Sequence, residues 1–513
     1  MKNLDILFIH SNGAKKIYQE LSKDHSAIEP PIWAAMLTNH CLSRGFDADL
    51  IDCEAERLST SESADRILKY DARVYCFVVY GQQPSASTQN MVGAVDTAEK
   101  LKELNPEAKV LFVGGHISAL PRDALRKHEC VDIICQNEGV YVISNLLGLK
   151  NLNDKEELAK IDGIGFMAEG EPFLTKPQSI VPKSRLHIDL PGMAWDLLPD
   201  ISRYRTSGWH SYTNNTEVSP FGALYTSLGC PYRCSFCMIN IINRTDNTYG
   251  VASDKSNKFR FWEPEFIITQ FDKLAEMGVK NVKIADELFV LNPRHFMKIC
   301  EMIIERGYDF NIWAYSRIDT CKPQYLRTLK KAGVNWLGLG IENPDQILRK
   351  EVHKDSFKDV KITDLFSMMR DEGMYVAANY IFGLPMDTHD SMKRTLDFAL
   401  ENRTEFVNMY TAMAYPGSPL YYQAKKNGWE LPQTYTGYSQ HAYDTLNLRN
   451  ENLTAAEILK FRDDAWMTYH TDEGYLSLLE NKFGIKSRQK VEDSTKIKLK
   501  RKILEEAGLE GQK

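Results

Sequence analysis

Apolar and polar positions divide the chain into stretches with different periods. Over the first 150 residues, short apolar runs alternate with amphipathic segments. LDILFIH (4–10), DADLIDC, VYCFVVY, KVLFVGG and VDIICQNEG read as strands. PIWAAMLTNHCLSRG (31–45) has helical spacing and stops at Gly45, and AVDTAEKLKELNP is a helix between the third and fourth strands. Such alternation predicts an α/β domain, a doubly wound, Rossmann-like parallel sheet covered on both faces, with ligands at the carboxyl ends of its strands. Residues 151–221 lose the pattern. Pro172, Pro177, Pro182, Pro191 and Pro199 punctuate them, and they read as a linker with one small hairpin, IGFMAEGEPFLT. Residues 222–429 resume the alternation with a longer repeat. GALYTSL, NVKIAD, FNIWAYS, NWLGLGIE, YVAANYIFG and FVNMYTAM are strands separated by helices, most of which end in glycine. Six strand–helix units are too few for a full eight-stranded barrel and predict a partial (β/α)6 TIM-like barrel. Residues 430–513 carry polar helices that read as a C-terminal helical cap.

Composition acts by exclusion. A chain of 513 residues with 43% hydrophobic and 26% charged residues is that of a globular protein of two or three domains. A net charge of −6 offers no electrostatic footprint for nucleic acid or an anionic membrane. No apolar run reaches the length of a membrane span, and MKNLDILFIH lacks a signal-type apolar region. The expectation is a cytoplasmic protein whose ten cysteines stay reduced.

Chemistry enters at SLGCPYRCSFCMIN (227–240), directly after the first barrel strand, where barrel folds carry their reactive groups. Cys230, Cys234 and Cys237 lie within eight positions. A structural zinc site needs four protein ligands, and no second cysteine pair or nearby histidine completes one. Pro231, Tyr232, Arg233 and Ser235 suit an exposed loop better than a core. Three thiolates can hold an iron–sulfur cluster that leaves one iron open to an outside ligand.

The spacing C-x3-C-x2-C, with Phe236 before the last cysteine, resembles the radical S-adenosylmethionine superfamily over about residues 222–420. That resemblance implies a [4Fe-4S] cluster on the three cysteines, with S-adenosylmethionine chelated to the open iron. It also implies a 5′-deoxyadenosyl radical that abstracts hydrogen, and an electron donor such as flavodoxin or ferredoxin. On this template Phe236 lies along the adenine. Asp286 and Glu287 fall where the superfamily has an acidic motif for the methionine ammonium, unless they merely start the next helix. Ser316 and Arg317 end the third strand. Arg317 suits the methionine carboxylate or, alternatively, an ion pair with Asp319. Glu342, in GLGIE (338–342), suits the ribose or the ammonium.

GLGIE, FGLP (382–385) and YPGS (415–418) resemble motifs of the subgroup with anaerobic magnesium-protoporphyrin cyclase and cobalamin-dependent methyltransferases. ENPD departs from that subgroup's usual ESGS, and MDT from its GET. In the first domain no G-x-G-x-x-G follows the first strand. PPIWAAML, VGGHISALP (113–121) and QNEGV (136–140) resemble the subgroup's cobalamin-binding domain. The resemblance implies that Gly114 and Gly115 approach the nucleotide tail and that Gln82, Gln83, Ser85 and Ser87 border the corrin. The motif D-x-H-x-x-G is absent; His10 and His116 are candidates for cobalt by position alone, but a lone histidine at a strand end more often makes an ordinary hydrogen bond and the subgroup's lower cobalt face commonly lacks one, so neither is assigned. The implied activity is methylation of an unactivated carbon of a small molecule. Cyclisation or rearrangement with the same cofactors is the alternative, and the intact cysteine triplet argues against a B12 sensor without catalysis. The loops around Trp209, Trp262, Tyr415 and Tyr435 are aromatic, which would suit a nucleotide, sugar or ring, although tryptophan and tyrosine also serve cores. Replacing Cys234 by alanine is expected to abolish the brown cluster absorbance of anoxically reconstituted protein while cobalamin retention stays nearly unchanged. A cluster that persists in that variant would overturn the ligand assignment.

Overall fold

The computed structural model describes residues 2–81, 83, 86–214, 217–243, 258–354 and 361–510. Strand β1 (Lys2–His10) is the spine of the first sheet. Its Leu4, Leu7 and Ile9 enter one core and its Ile6 and Phe8 the other, so a nearly continuous apolar run feeds both faces. It pairs in parallel with β2 (Ala48–Asp52) on one side and β3 (Tyr70–Val79) on the other. Beyond β3 lie β4 (Val110–Gly114) and β5 (Ile133–Cys135), giving the order β2-β1-β3-β4-β5. The strand order reverses between β1 and β3, and a crevice opens there at the carboxyl ends.

The hairpin read within the linker forms as β6 (Ile164–Ala168) and β7 (Glu171–Leu174). It does not stand apart: β6 pairs antiparallel with β5 and extends the first sheet to seven strands.

The second sheet begins with β8 (Phe221–Leu224); a two-residue ladder of β9 (Ser227–Leu228) with β10 (Arg260–Phe261) flanks it. It continues through β11 (Asn281–Ile284), β12 (Asn311–Arg317), β13 (Val334–Glu342), β14 (Tyr375–Phe382) and β15 (Phe406–Thr411). All six main strands are parallel and lie in sequence order, which is the predicted partial barrel. Local signals set its helices. Pro264, Pro293 and Pro323 open helices Pro264–Glu276, Pro293–Arg306 and Pro323–Lys331, where a missing N–H costs nothing. The C-terminal helix Ala455–His470 packs on the edge strand β15, and the Tyr469 hydroxyl accepts from Thr404 N at 3.0 Å. Among the described residues no helix is long and apolar enough to cross a membrane.

A buried charge cluster joins the two sheets. Arg260 on β10 donates to Glu138 Oε2 and Asn243 Oδ1, both at 2.9 Å, and to Val181 O at 2.5 Å. Glu138 Oε1 accepts from Val181 N. Each of the two charged side chains is 4% exposed. Glu138 follows β5, Val181 belongs to the linker and Asn243 follows the cysteine loop, so one guanidinium pins four segments. Arg260→Ala would strand the Glu138 carboxylate in the interior and is expected to cost roughly 3–5 kcal/mol, read as a lowered urea midpoint. The paired change Arg260→Met with Glu138→Leu should recover much of that loss, because it leaves no buried charge behind.

Candidate functional site

The cysteine loop is held by backbone contacts. Gly229 precedes it at φ 87, and a Cβ there would lie 2.1 Å from Lys258 O, so only glycine fits. Cys237 N donates to Cys234 O at 3.0 Å, closing a turn. Ser235 N donates to Val352 O at 3.2 Å and Ser235 O accepts from Leu420 N at 2.9 Å, which ties the loop to the end of helix Gln346–Glu351 and to the first turn of helix Pro419–Lys426. All three thiols face one cavity of about 330 Å³ at the carboxyl ends of the barrel strands. Burial pushes the Cys237 thiol up to about 12, with Cys234 adding to the effect, and raises Cys230 and Cys234 as well. For Cys234 the nearby Lys354 and Arg317 charges work the other way. Among the described residues no three His, Cys, Asp or Glu side chains converge as a single ion would require. Thiols spread around a cavity suit a cluster in which each binds a different iron, and the iron charge would offset the cost of burying three thiolates.

The two adjacent acids part company. Asp286 accepts from Thr226 N, Thr226 Oγ1 and Ser227 Oγ, each at 2.6 Å, and does not reach the cavity wall. Burial pushes it up to about 6 against the pull of these donors. Its carboxylate fastens the segment between β8 and β9 to the end of β11. Glu287 lines the cavity, and its carboxylate accepts from Gly229 N at 3.2 Å. Burial pushes Glu287 up to about 8, and the Asp286 charge adds to it. A cation in the cavity would relieve that cost, which is what an ammonium ligand offers.

Arg317 also lines the cavity, stacks over the Tyr232 ring at 3.8 Å, and grips Asp319 through Nε at 2.8 Å and Nη2 at 3.3 Å. The ion pair anticipated as its alternative role is therefore made, with the guanidinium still at the cavity. Ser316 lines the wall and its hydroxyl lies 3.3 Å from Thr320 Oγ1. Phe236 lines it too, packed on Val352, Ile381, Leu384 and Ala412. Glu342 sits at φ 61 and forms a buried ion pair with Lys354. A Cβ on Gly340 would lie 2.5 Å from Lys354 Nζ and 2.8 Å from Glu342 Oε1, so glycine there makes room for the pair. No motif marked Lys354, because its partner is twelve positions away and the contact exists only in the folded loop.

A second cavity, of about 630 Å³, opens at the β1/β3 crevice beside His10, Tyr80 and Gln83 and runs into the barrel lumen past Lys283 and Trp313. Gln83, Tyr315 and Tyr410 line both cavities. Lys283 Nζ reaches Glu29 of the first domain at 3.0 and 3.2 Å. His10 Nε2 lies 3.3 Å from Glu54 Oε2; burial opposes its charge, but Glu54 and Asp52 carry it above its ordinary value. Room at the crevice with a polar rim fits a flat ring system.

The remaining candidates toward cobalamin lie deeper. A Cβ on Gly114 would fall 2.1 Å from Val79 O, and one on Gly115 would fall 2.9 Å from Met238 Cε and 3.1 Å from Ser87 Oγ. Ser87 Oγ donates to Val79 O and accepts from His116 N at 3.1 Å. His116 is buried, with Nδ1 3.2 Å from Thr88 Oγ1. The glycine pair thus abuts Met238, the residue after Cys237, bringing the first domain against the cysteine loop. Gln82 and Ser85 lie outside the described residues. Of the four aromatics, Tyr415 lines the smaller cavity and Trp209 the larger. Trp262 is a core residue donating to Leu190 O at 3.0 Å, and Tyr435 packs between His116 and His128.

Residues 224–399 match the radical SAM superfamily and residues 26–147 the B12 binding domain. The chain is a radical S-adenosylmethionine enzyme with a B12-binding domain ahead of its barrel. An uncharacterized methyltransferase of Pyrococcus horikoshii is 24% identical over 442 residues, covering 86% of this chain and 88% of that protein. The anaerobic magnesium-protoporphyrin IX monomethyl ester cyclase of Cereibacter sphaeroides is 22% identical, covering 88% of this chain and 68% of the cyclase. The radical S-adenosylmethionine methyltransferase TsrM of Kitasatospora setae, solved with cobalamin and a [4Fe-4S] cluster bound, shares the fold at a TM-score of 0.65. That alignment has 14% identity over 97% of this chain and 99% of that one.

Asp286→Asn would set an amide N–H among three donors and is expected to cost about 2 kcal/mol, measured as a fall in the midpoint of chemical denaturation.

Proposed function

We propose that this enzyme is a cobalamin-dependent radical S-adenosylmethionine methyltransferase acting on an unactivated carbon of a small molecule. The observation that carries the reading is the junction at Gln83, Tyr315 and Tyr410, where the thiol-lined cavity meets the strand-end crevice. A molecule held there touches both. The methyltransferase names of relatives that span most of this chain support the same reading. Residues 1–150 are assigned to cobalamin, 222–429 to the radical chemistry and 430–513 to the cap, with the hairpin of 151–221 serving the first sheet.

Cys230, Cys234 and Cys237 would hold a [4Fe-4S] cluster. Glu287 would meet the ammonium of S-adenosylmethionine, Ser316 and Arg317 its carboxylate, Phe236 its adenine and Glu342 its ribose. Asp286 would act behind them by fixing Thr226 and Ser227. Gln82, Gln83, Ser85 and Ser87 would border the corrin, with Gly114 and Gly115 toward the nucleotide tail. When bound, these groups supply a carbon-centred radical and a transferable methyl group. The chain positions and shields: Glu287 and Arg317 orient a zwitterion, while Leu288, Ile381 and Met413 keep water from the wall. A low-potential donor such as flavodoxin or ferredoxin in a reducing cytoplasm completes the picture.

Anoxic turnover of reconstituted enzyme, with a reductant and a metabolite extract of its own cells, is expected to yield both 5′-deoxyadenosine and S-adenosylhomocysteine. Deoxyadenosine with no homocysteine product would replace methylation by rearrangement, and the absence of both would end the reading.

A further inference from the structure

We propose that Asn408 is a specificity residue of the larger cavity: its amide oxygen accepts a hydrogen bond from a neutral N–H or O–H on a flat ring of the substrate. The proposal rests on the methyltransferase reading for calling the occupant a substrate, and on this chain's own hydrogen bonds for what that occupant must carry.

Asn408 on β15 and Asn379 on β14 are partners in register. Asn379 Nδ2 donates to Leu339 O and Ala377 O, both at 3.1 Å. Turning that amide over would set its oxygen against two carbonyl oxygens, so Asn379 Oδ1 is fixed as an acceptor. Asn408 Nδ2 donates to it at 2.9 Å. The Asn408 amide is thereby oriented as well, with its Oδ1 turned away from Asn379. Asn379 lines the thiol-lined cavity and Asn408 the larger one, so this one bond crosses the wall between them. Asn408 Oδ1 accepts from nothing among the described residues, yet it is not one of the unpaired polar atoms sealed from solvent. An oriented, open acceptor on a cavity wall is the kind of group that fixes a ligand's orientation.

The rest of the strand face indicates the ring. Phe406, Asn408 and Tyr410 alternate with the buried Val407, Met409 and Thr411, so the three side chains share one face. Phe406 stacks on Trp209 at 4.6 Å and 16°, and both line the larger cavity. Tyr410 lines both cavities, and its hydroxyl has no hydrogen-bond partner among the described residues either. A flat apolar wall with an amide acceptor beside it suits an aromatic ring that carries a donor. An amide oxygen offers no counter-charge, and burying a cation against it is costly, so the donor is neutral.

The test uses the full chain reconstituted anoxically with cluster and cobalamin. It is titrated calorimetrically with indole and with benzofuran, a ring system of the same shape without the donor. Indole should bind about tenfold more tightly than benzofuran, the difference one hydrogen bond makes. Asn408→Leu, which nearly keeps the volume and removes the acceptor, should erase that preference while benzofuran affinity stays as it was. Asn379→Ala, which frees the Asn408 amide to turn, should weaken indole alone. A purely structural role for Asn408 would weaken both probes alike and leave the preference in place. Equal affinity of the unaltered chain for the two probes, binding of neither, or a preference that survives Asn408→Leu overturns the proposal. Release of 5′-deoxyadenosine on adding S-adenosylmethionine and dithionite to the same sample separates the two readings. Release without an indole preference removes only the role of Asn408. An indole preference without release keeps the pocket and removes the methyltransferase reading.

Discussion

Two opposite charges, Arg260 and Glu138, are buried together where the first sheet, the linker and the cysteine loop meet. Taking them out of water is expensive, and the cost is met only because the guanidinium and carboxylate are also hydrogen-bonded to Val181 and Asn243. The arrangement is all-or-none: the pair is stable only if four segments arrive together. What it fixes is the placement of one set of strand ends opposite another. Met238 against Gly115 and Gly417 against Ala119 are further points where that placement leaves no slack.

With the two domains locked, the barrel mouth divides its polar groups between structure and chemistry. Asp286 spends all its acceptor capacity on Thr226 and Ser227, whereas Glu287, one residue later, points its buried carboxyl at the cavity. Both residues lie past the end of β11, with Glu287 in a bend, so the division is set by the loop rather than by the strand. Glu342 shows the same economy at a strained position. A non-glycine residue at φ 61 costs about 1–3 kcal/mol, and the register shift between β13 and β14 occurs between Gly340 and Glu342. The buried contact with Lys354 over-determines that conformation and keeps both charges at the wall of the thiol-lined cavity.

Much of the fold was legible because its signals are local. The apolar runs of β1 to β5 and of the six barrel strands are buried on both faces, and proline at the first position of three barrel helices marks their starts. The hairpin of 164–174 was visible as a turn, but its membership in the first sheet was not, since pairing with β5 crosses about thirty residues. At the site, the cysteine spacing, Glu287, Arg317 and Phe236 were legible as residue types at strand ends. Asp286 looked equivalent to Glu287 because two neighbouring acids carry no mark of which way each turns. The packing of Ser87 on Val79 O and His116 N, and of Gly114 against Val79 O, was not legible, because the contacts of Ser87 with His116 and of Gly114 with Val79 join segments 29 and 35 positions apart.

By itself the sequence determined the element types, their order, the thiol trio and the two-domain class, because each depends on periods and spacings within a few residues. Only the tertiary structure decided that Gln83, Tyr315 and Tyr410, from segments far apart in the chain, would border two cavities at once. It also decided that Lys354 would answer Glu342. Long-range contacts of this kind depend on which faces are buried against each other, and burial is a property of the packed chain rather than of any window along it.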